Sequence, residues 1–260
     1  ELAQILQANR QLLKRSILLI GFDAEEKGLI GSKYFISNPT IQKNNIVTMI
    51  NMDMIGKMKD STAIVGGVGT SPIFESLLDS LSKLSNLKLE YDQAGYGPSD
   101  HASFYAEDIP VLFFFTGDYS NNYHLPEDDW EDINAPGEKQ ILDIIYKSVI
   151  ELSRNPIRPA FSIAGPKTRT VQRNNKQVKM GILPYYGGTI EGLKVDKIYD
   201  SSGPAAKAGI RSGDIIKSIN KKPIKDIYEY MKRMEEIKPG QSVPVDIKRD
   251  GKTIMLTVRF

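Results

Sequence analysis

The chain has 260 residues, 40% hydrophobic and 25% charged, which fits one large or two ordinary globular domains. It has no cysteine and only two histidines, His101 and His124, so disulfides and thiolate ligands are excluded and a transition-metal site must draw on His, Asp and Glu. No run reaches the ~20 apolar residues of a membrane span. The net charge of +2 conceals an asymmetry: −10 over residues 1–153, +6 with no acid over 154–177, and +6 over 178–260.

The opening "ELAQILQANRQLLKR" predicts a polar amphipathic helix over 1–14, not a signal peptide. With no initiator Met and a helix already under way, it reads as the start of a trimmed chain or fragment. The apolar run "SILLIGF" predicts a strand, followed by a helix from about Leu29 to Ile36. Strands "NIVTMINMDM" and "TAIVGG", the helix "SPIFESLLDSLSKL" and the strand "LKLEYD" come next. The run "IPVLFFFTG" and the helix "GEKQILDIIYKSVIELS" close the region. Continuous apolar strands between helices indicate an α/β domain over 1–153, its mostly parallel sheet covered on both faces. Ligands of such sheets bind at the carboxyl ends of strands.

Residues 154–177 are rich in Pro, Gly and basic residues without periodicity and read as a linker. No aromatic interleaving accompanies the positive charge, so no nucleic-acid partner is expected. Residues 178–260 change character. "DIIKSIN" and "SVPVDIKR" predict strands, "IKDIYEYMKRMEEI" an amphipathic helix, and "RDGKTIMLTVRF" a hairpin turning at Asp250-Gly251. "SSGPAAKAGIRSGDIIKSINKKPI" resembles the most recognisable segment of a PDZ domain, and the order of elements is that of bacterial PDZ domains. The resemblance implies a small mainly-β domain in which Met180, Gly181 and Ile182 of "VKMGILPYY" offer backbone amides to a peptide C-terminus.

Acids and histidines collect at the strand ends of the first domain. Glu25 and Glu26 follow "SILLIGF", Asp53 lies in "MINMDMIG", Asp100-His101 in "GPSDHASF", and His124 in "NNYHLPEDDW". Taken singly, each has an ordinary structural explanation as an exposed turn, a cap or a packed imidazole. Taken together, they supply the residue types of a zinc hydrolase: imidazole and carboxylate ligands, with a further carboxylate as base.

The motifs "FDAEEKGLIGSKYF", "INMDMIG", "SDHASF…IPVLFFFTG" and "YHLPEDDWEDIN", in this order and at these spacings, resemble the di-zinc aminopeptidase family. That family also includes glutamate carboxypeptidase and the glutaminyl cyclases. The resemblance implies a zinc-exopeptidase-like fold and hydrolysis of N-terminal residues from peptides. Glu25 would be the general base that takes a proton from the attacking water. Glu26 and His124 would bind one zinc and Asp53 the second. Asp100 would join the hydrogen-bond network beside the site, Asp128 would fix a ring orientation, and Tyr123 would contact substrate or oxyanion. The family's first zinc-binding His and its bridging Asp precede the helix with which this chain opens, as do the first strands of the sheet. Two ions are therefore expected in the complete protein, one or none in this chain, and the chain alone is expected to be inactive. Glutaminyl-cyclase-like or carboxypeptidase chemistry and a non-catalytic peptide-binding role stay open as alternatives. An exported location follows only by analogy with bacterial peptidase–PDZ chains.

Overall fold

The run at 109–115 is apolar without alternation, which suits a strand covered on both faces. A computed structural model describes residues 1–83, 85–116, 128–167, 178–185 and 190–260, and only the backbone of Tyr228. It divides into two units, Glu1–Thr168 and Arg169–Phe260. In the first, α1 (Leu2–Ala8), α2 (Ile30–Ser37), β1 (Met49–Met52), β2 (Thr62–Gly66) and α3 (Phe74–Ser82) are followed by β3 (Lys88–Tyr91), α4 (His101–Tyr105), β4 (Val111–Phe115) and α5 (Ala135–Arg154).

The sheet runs β1-β4-β2-β3. β1 lies parallel to β4, with Met49 opposite Val111, and β2 lies parallel to β3. β4 and β2 are antiparallel, with Phe114 opposite Val65. Leu112 and Phe114 pack with Phe74 and Leu78 of α3 and with Ile141, Ile144 and Ile145 of α5. Val111 packs with Ile36 of α2 and with Phe104 and Tyr105 of α4. Helices thus cover both faces of β4. Helix α5 carries its buried Ile141, Ile144, Ile145 and Ser148 at the spacing of one helical face. It starts where Asn134 Oδ1 accepts from Gly137 N at 3.0 Å, an N-cap with Pro136 in the first turn.

Two segments differ from the sequence reading. "SILLIGF" forms no strand: among the described residues it joins no ladder, and Ile17–Ile20 stay 37–51% exposed. A strand is defined by the neighbour that takes up its N–H and C=O groups; apolar composition alone cannot supply one. The described part of the expected linker is bound to the first unit. Phe161 packs against Tyr105 with the rings tilted by 43° and their centroids 5.6 Å apart. The Tyr105 hydroxyl donates to Gly165 O and accepts from Ala164 N, each at 2.8 Å. One aromatic residue and a satisfied backbone anchor a segment whose composition signals only a loop.

In the second unit, β5 (Ile182–Pro184), β6 (Leu193–Ile198), α6 (Pro204–Ala208), β7 (Ile215–Ile219), β8 (Lys222–Pro223), α7 (Ile227–Glu235), β9 (Ser242–Arg249) and β10 (Lys252–Arg259) follow in order. The antiparallel sheet runs β10-β9-β7-β6-β5, with β8 paired to β7. Asp250 (φ 50°) and Gly251 (φ 78°) both take the left-handed conformation that a two-residue hairpin turn requires. Val195, Ile216, Ile219, Val245, Ile247 and Val258 are fully buried in the core.

Asp214, 1% exposed, accepts from Arg249 Nε and Nη2 at 2.7 Å and from Arg211 N at 2.8 Å. Asp214→Ala should destabilise this unit by about 2–3 kcal/mol, since Arg249 loses a bidentate partner yet keeps some access to water. Urea unfolding of the chain checks this. Equal stability of variant and wild type would show that the pair contributes nothing.

Candidate active site

The two glutamates sit in a turn held by its own backbone. Gly28 N and Leu29 N donate to Glu25 O at 2.9 Å, and Gly31 N donates to Asp23 O at 3.1 Å. A Cβ on Gly31 would lie 2.7 Å from Asp23 O, so only glycine permits that approach. Ala24 (φ 55°), directly before Glu25, is left-handed, a conformation that costs a non-glycine residue roughly 1–2 kcal/mol. Met54 (φ 54°), directly after Asp53, shares it. Strain of this kind flanking two acids is common at functional sites. The consequence is a half-buried Glu25 beside an exposed Glu26.

Asp53 leaves the end of β1, its N–H donating to Phe114 O at 3.2 Å. Met54 O accepts from the Thr116 hydroxyl at 2.5 Å. Asp100, 7% exposed, stands at the start of α4, which also packs on α2 through a buried Ser32–Ser103 hydroxyl pair at 2.9 Å.

The acids form one electrostatic cluster. Burial first, then the charges of Asp53, Asp100 and Glu26, push the Glu25 carboxyl up to about 7. Burial also raises Asp100, as do Asp53 and Glu26, whereas a hydrogen bond from Ser32 opposes the rise. Asp100 Oδ1 is buried without a hydrogen-bond partner. Converging carboxylates with an unpaired oxygen are the donor chemistry of a cation site. Among the described residues, however, no three His, Cys, Asp or Glu side chains are placed to hold one ion. His124 and Tyr123 lie outside the described residues.

Asp128 pairs with Lys57 Nζ at 2.9 Å, and Asp132 reaches the same ammonium at 3.4 Å. These carboxylates hold Lys57 above the usual lysine range, against a smaller opposing effect of burial.

His101 is 1% exposed and stacks on Phe113 at 4.3 Å, its Nδ1 without a partner. It belongs to the packing behind the acids: a Cβ on Gly97 would meet its Nε2 at 2.5 Å. Burial drives its imidazole down to about 3. The unfolded chain therefore binds this proton first as pH falls below about 6.5, and stability is lost at about 1.4 kcal/mol per pH unit until the folded pKa is reached. Between pH 7 and pH 5, wild type should lose about 2 kcal/mol more than His101→Gln in urea unfolding. Identical losses in the two proteins would contradict this.

Sequence reasoning did not find Ser32. The only signal available was a small polar residue on the apolar face of a helix, where it is 0% exposed.

In the second unit, Met180 (1% exposed) and Ile182 (7%) flank Gly181, whose φ is 86°. Met180 O accepts from Ala205 N at 2.9 Å, and Gly181 O accepts from Tyr199 N at 3.2 Å. The carbonyls of the expected carboxylate loop are thus turned into the domain.

Known proteins share both units. The model of peptidase family M28 matches residues 1–149 and that of the PDZ domain residues 171–260. Aminopeptidase YwaD of Bacillus subtilis is 28% identical over 157 residues, 56% of this chain and 34% of that protein. The crystal structure of the Legionella pneumophila LapA aminopeptidase superposes with a TM-score of 0.50 at 26% identity, covering 60% of this chain and 44% of LapA. Serine endoprotease DegS of Salmonella typhimurium is 41% identical over 69 residues, 26% of this chain. The matches span 19% of the DegS chain and 34% of YwaD, well short of either relative's full length.

Proposed function

The chain belongs to peptidase family M28 and carries a PDZ domain behind that match, and we propose that its first unit provides the proton-transfer side of a zinc-dependent aminopeptidase site while the PDZ domain binds peptide C-termini. The observation that carries this is the half-buried Glu25, whose carboxyl is pushed up by burial and by the charges of Asp53, Asp100 and Glu26 around it. A carboxyl titrating near 7 is suited to accept a proton and return it at neutral pH. Glu25 takes the proton of the attacking water and delivers it to the leaving amine. Glu26, Asp53 and His124 would hold zinc, which when bound supplies Lewis-acid polarisation of the scissile carbonyl. Asp100, buried beside Glu25, keeps negative charge near the base and so keeps its pKa high.

The surplus of acids over 1–153 favours a substrate bearing a free ammonium. Tyr123 is assigned a substrate contact and Asp128 an orienting role toward His124. The 260-residue chain by itself is assigned no more than one ion and no turnover, and an exported location follows the same family analogy.

The test is hydrolysis of aminoacyl-4-nitroanilides by the natural protein. Turnover should need the free amine and disappear with chelator. Equal cleavage of N-acetylated substrate, or indifference to chelator, would contradict the assignment.

A further inference from the structure

β5 ends the second sheet; among the described residues it pairs only with β6. Its direction of hydrogen bonding is fixed by two contacts. Gly181 O accepts from Tyr199 N at 3.2 Å, and Tyr185 N donates to Lys194 O at 2.9 Å. Residues 181 and 185 therefore turn their main-chain groups toward β6. Alternation along a strand then turns those of residues 182 and 184 toward the open edge.

Residue 184 is proline, which has no N–H. An incoming antiparallel strand whose last residue lies opposite Ile182 places its third residue from the end opposite Pro184. Ile182 offers both a donor and an acceptor there, but Pro184 offers only its carbonyl. The register irregularity between Leu183 and Pro184 falls at the same place. Proline at this position also keeps the edge from continuing into a ladder with another chain.

We infer that this edge reads short, free C-termini, its backbone recognition centred on the last two ligand residues because Pro184 cannot donate to the carbonyl of the third. The buried side chains beside the loop, Met180 and Ile182, are apolar, and Ile227 and Tyr230 of α7 belong to the same cluster. The preferred last ligand residue is therefore apolar. This inference rests on the C-terminus-binding reading of the PDZ domain.

The test measures fluorescence anisotropy of labelled peptides ending in valine or phenylalanine with a free carboxylate, of three and six residues, against the 260-residue chain. The amide of each peptide is the control. Wild type should bind the two lengths within about twofold. In Pro184→Ala, where a single N–H returns, the six-residue peptide should bind about 3- to 10-fold tighter than in wild type, the worth of one hydrogen bond. A wild-type six-residue peptide bound more than tenfold tighter than the three-residue one would overturn the inference while leaving C-terminal capture intact, and this comparison needs no variant. Unchanged affinity in a folded Pro184→Ala would overturn it too. Amides binding as well as acids, or no peptide binding at all, would overturn the underlying reading and the inference with it.

Discussion

Glu25→Gln should lower kcat by about 10²- to 10⁴-fold and at the same time make the metal-free protein more stable above pH 7. The first effect follows if Glu25 carries the proton. Glutamine keeps the shape of the side chain but accepts no proton at any working pH. The second follows from the burial and the three neighbouring acids that push the carboxyl up to about 7.

A carboxyl raised in the folded state ionises more easily in the unfolded one. Stability is accordingly lost as pH climbs from about 4.5 through 7, and the loss is complete above that range. Because Glu25 is half-buried, solvent screens part of this cost, leaving about 1–2 kcal/mol for glutamine to recover at pH 8. For a unit of this size, that corresponds to a rise in Tm of about 3–6 °C. Most of the gain should vanish at pH 5. Retained turnover, or an equal rise in Tm at both pH values, would remove Glu25 from this role.

Phe114→Ala should destabilise the first unit by about 3–5 kcal/mol. Phe114 is 0% exposed on β4, opposite Met52 on one side and Val65 on the other. Its ring packs in the core that α3 and α5 share, so truncation leaves a cavity that the paired strands on both sides cannot close. A loss of this size is a large part of the ordinary stability of a domain, about 5–15 kcal/mol. Phe114→Leu should cost about 1.5 kcal/mol, since most of the volume is kept. The carbonyl of Phe114 also holds the N–H of Asp53, so a loosened β4 moves one of the acids. Urea unfolding followed by the near-ultraviolet signal reads the change. A loss below about 1 kcal/mol for alanine would mean that β4 is not the centre of this core.

Long apolar or amphipathic runs were the legible part of the fold. The run at 109–115 and the period of α5 declare themselves because burial on two faces, or on one helical stripe, demands that composition. The hairpin turn at Asp250-Gly251 was equally plain, since few residue pairs accept two positive φ angles. "SILLIGF" was misleading because a strand depends on its neighbour, and a neighbour is not written in the run itself. The packing of residues 155–167 on the first unit was hidden for the opposite reason. It depends on Phe161 and the Tyr105 hydroxyl meeting across the fold, and neither residue signals the other along the chain.

In the site, the acidic residue types were legible, but of Glu25, Glu26, Asp53 and Asp100 only Asp53 directly follows a strand, and the charges of Asp53 and Glu26 bear on both Glu25 and Asp100. The left-handed turns at Ala24 and Met54 were not, because no local rule places alanine or methionine at positive φ. The tie between Lys57 and Asp128 was equally invisible, being a matter of which loops meet.

The assignment of Glu26 and His124 to one zinc and of Asp53 to a second is tested most directly by calorimetric titration of the 260-residue chain with zinc. Wild type should take up no more than one ion, and Glu26→Gln and His124→Ala should each weaken that uptake at least about tenfold, the usual cost of disturbing a metal's surroundings, whereas Asp53→Asn should weaken it less. An exposed acid elsewhere, Asp143→Asn, should have no effect. Two tightly held ions per chain, or uptake indifferent to both Glu26→Gln and His124→Ala, would contradict the assignment.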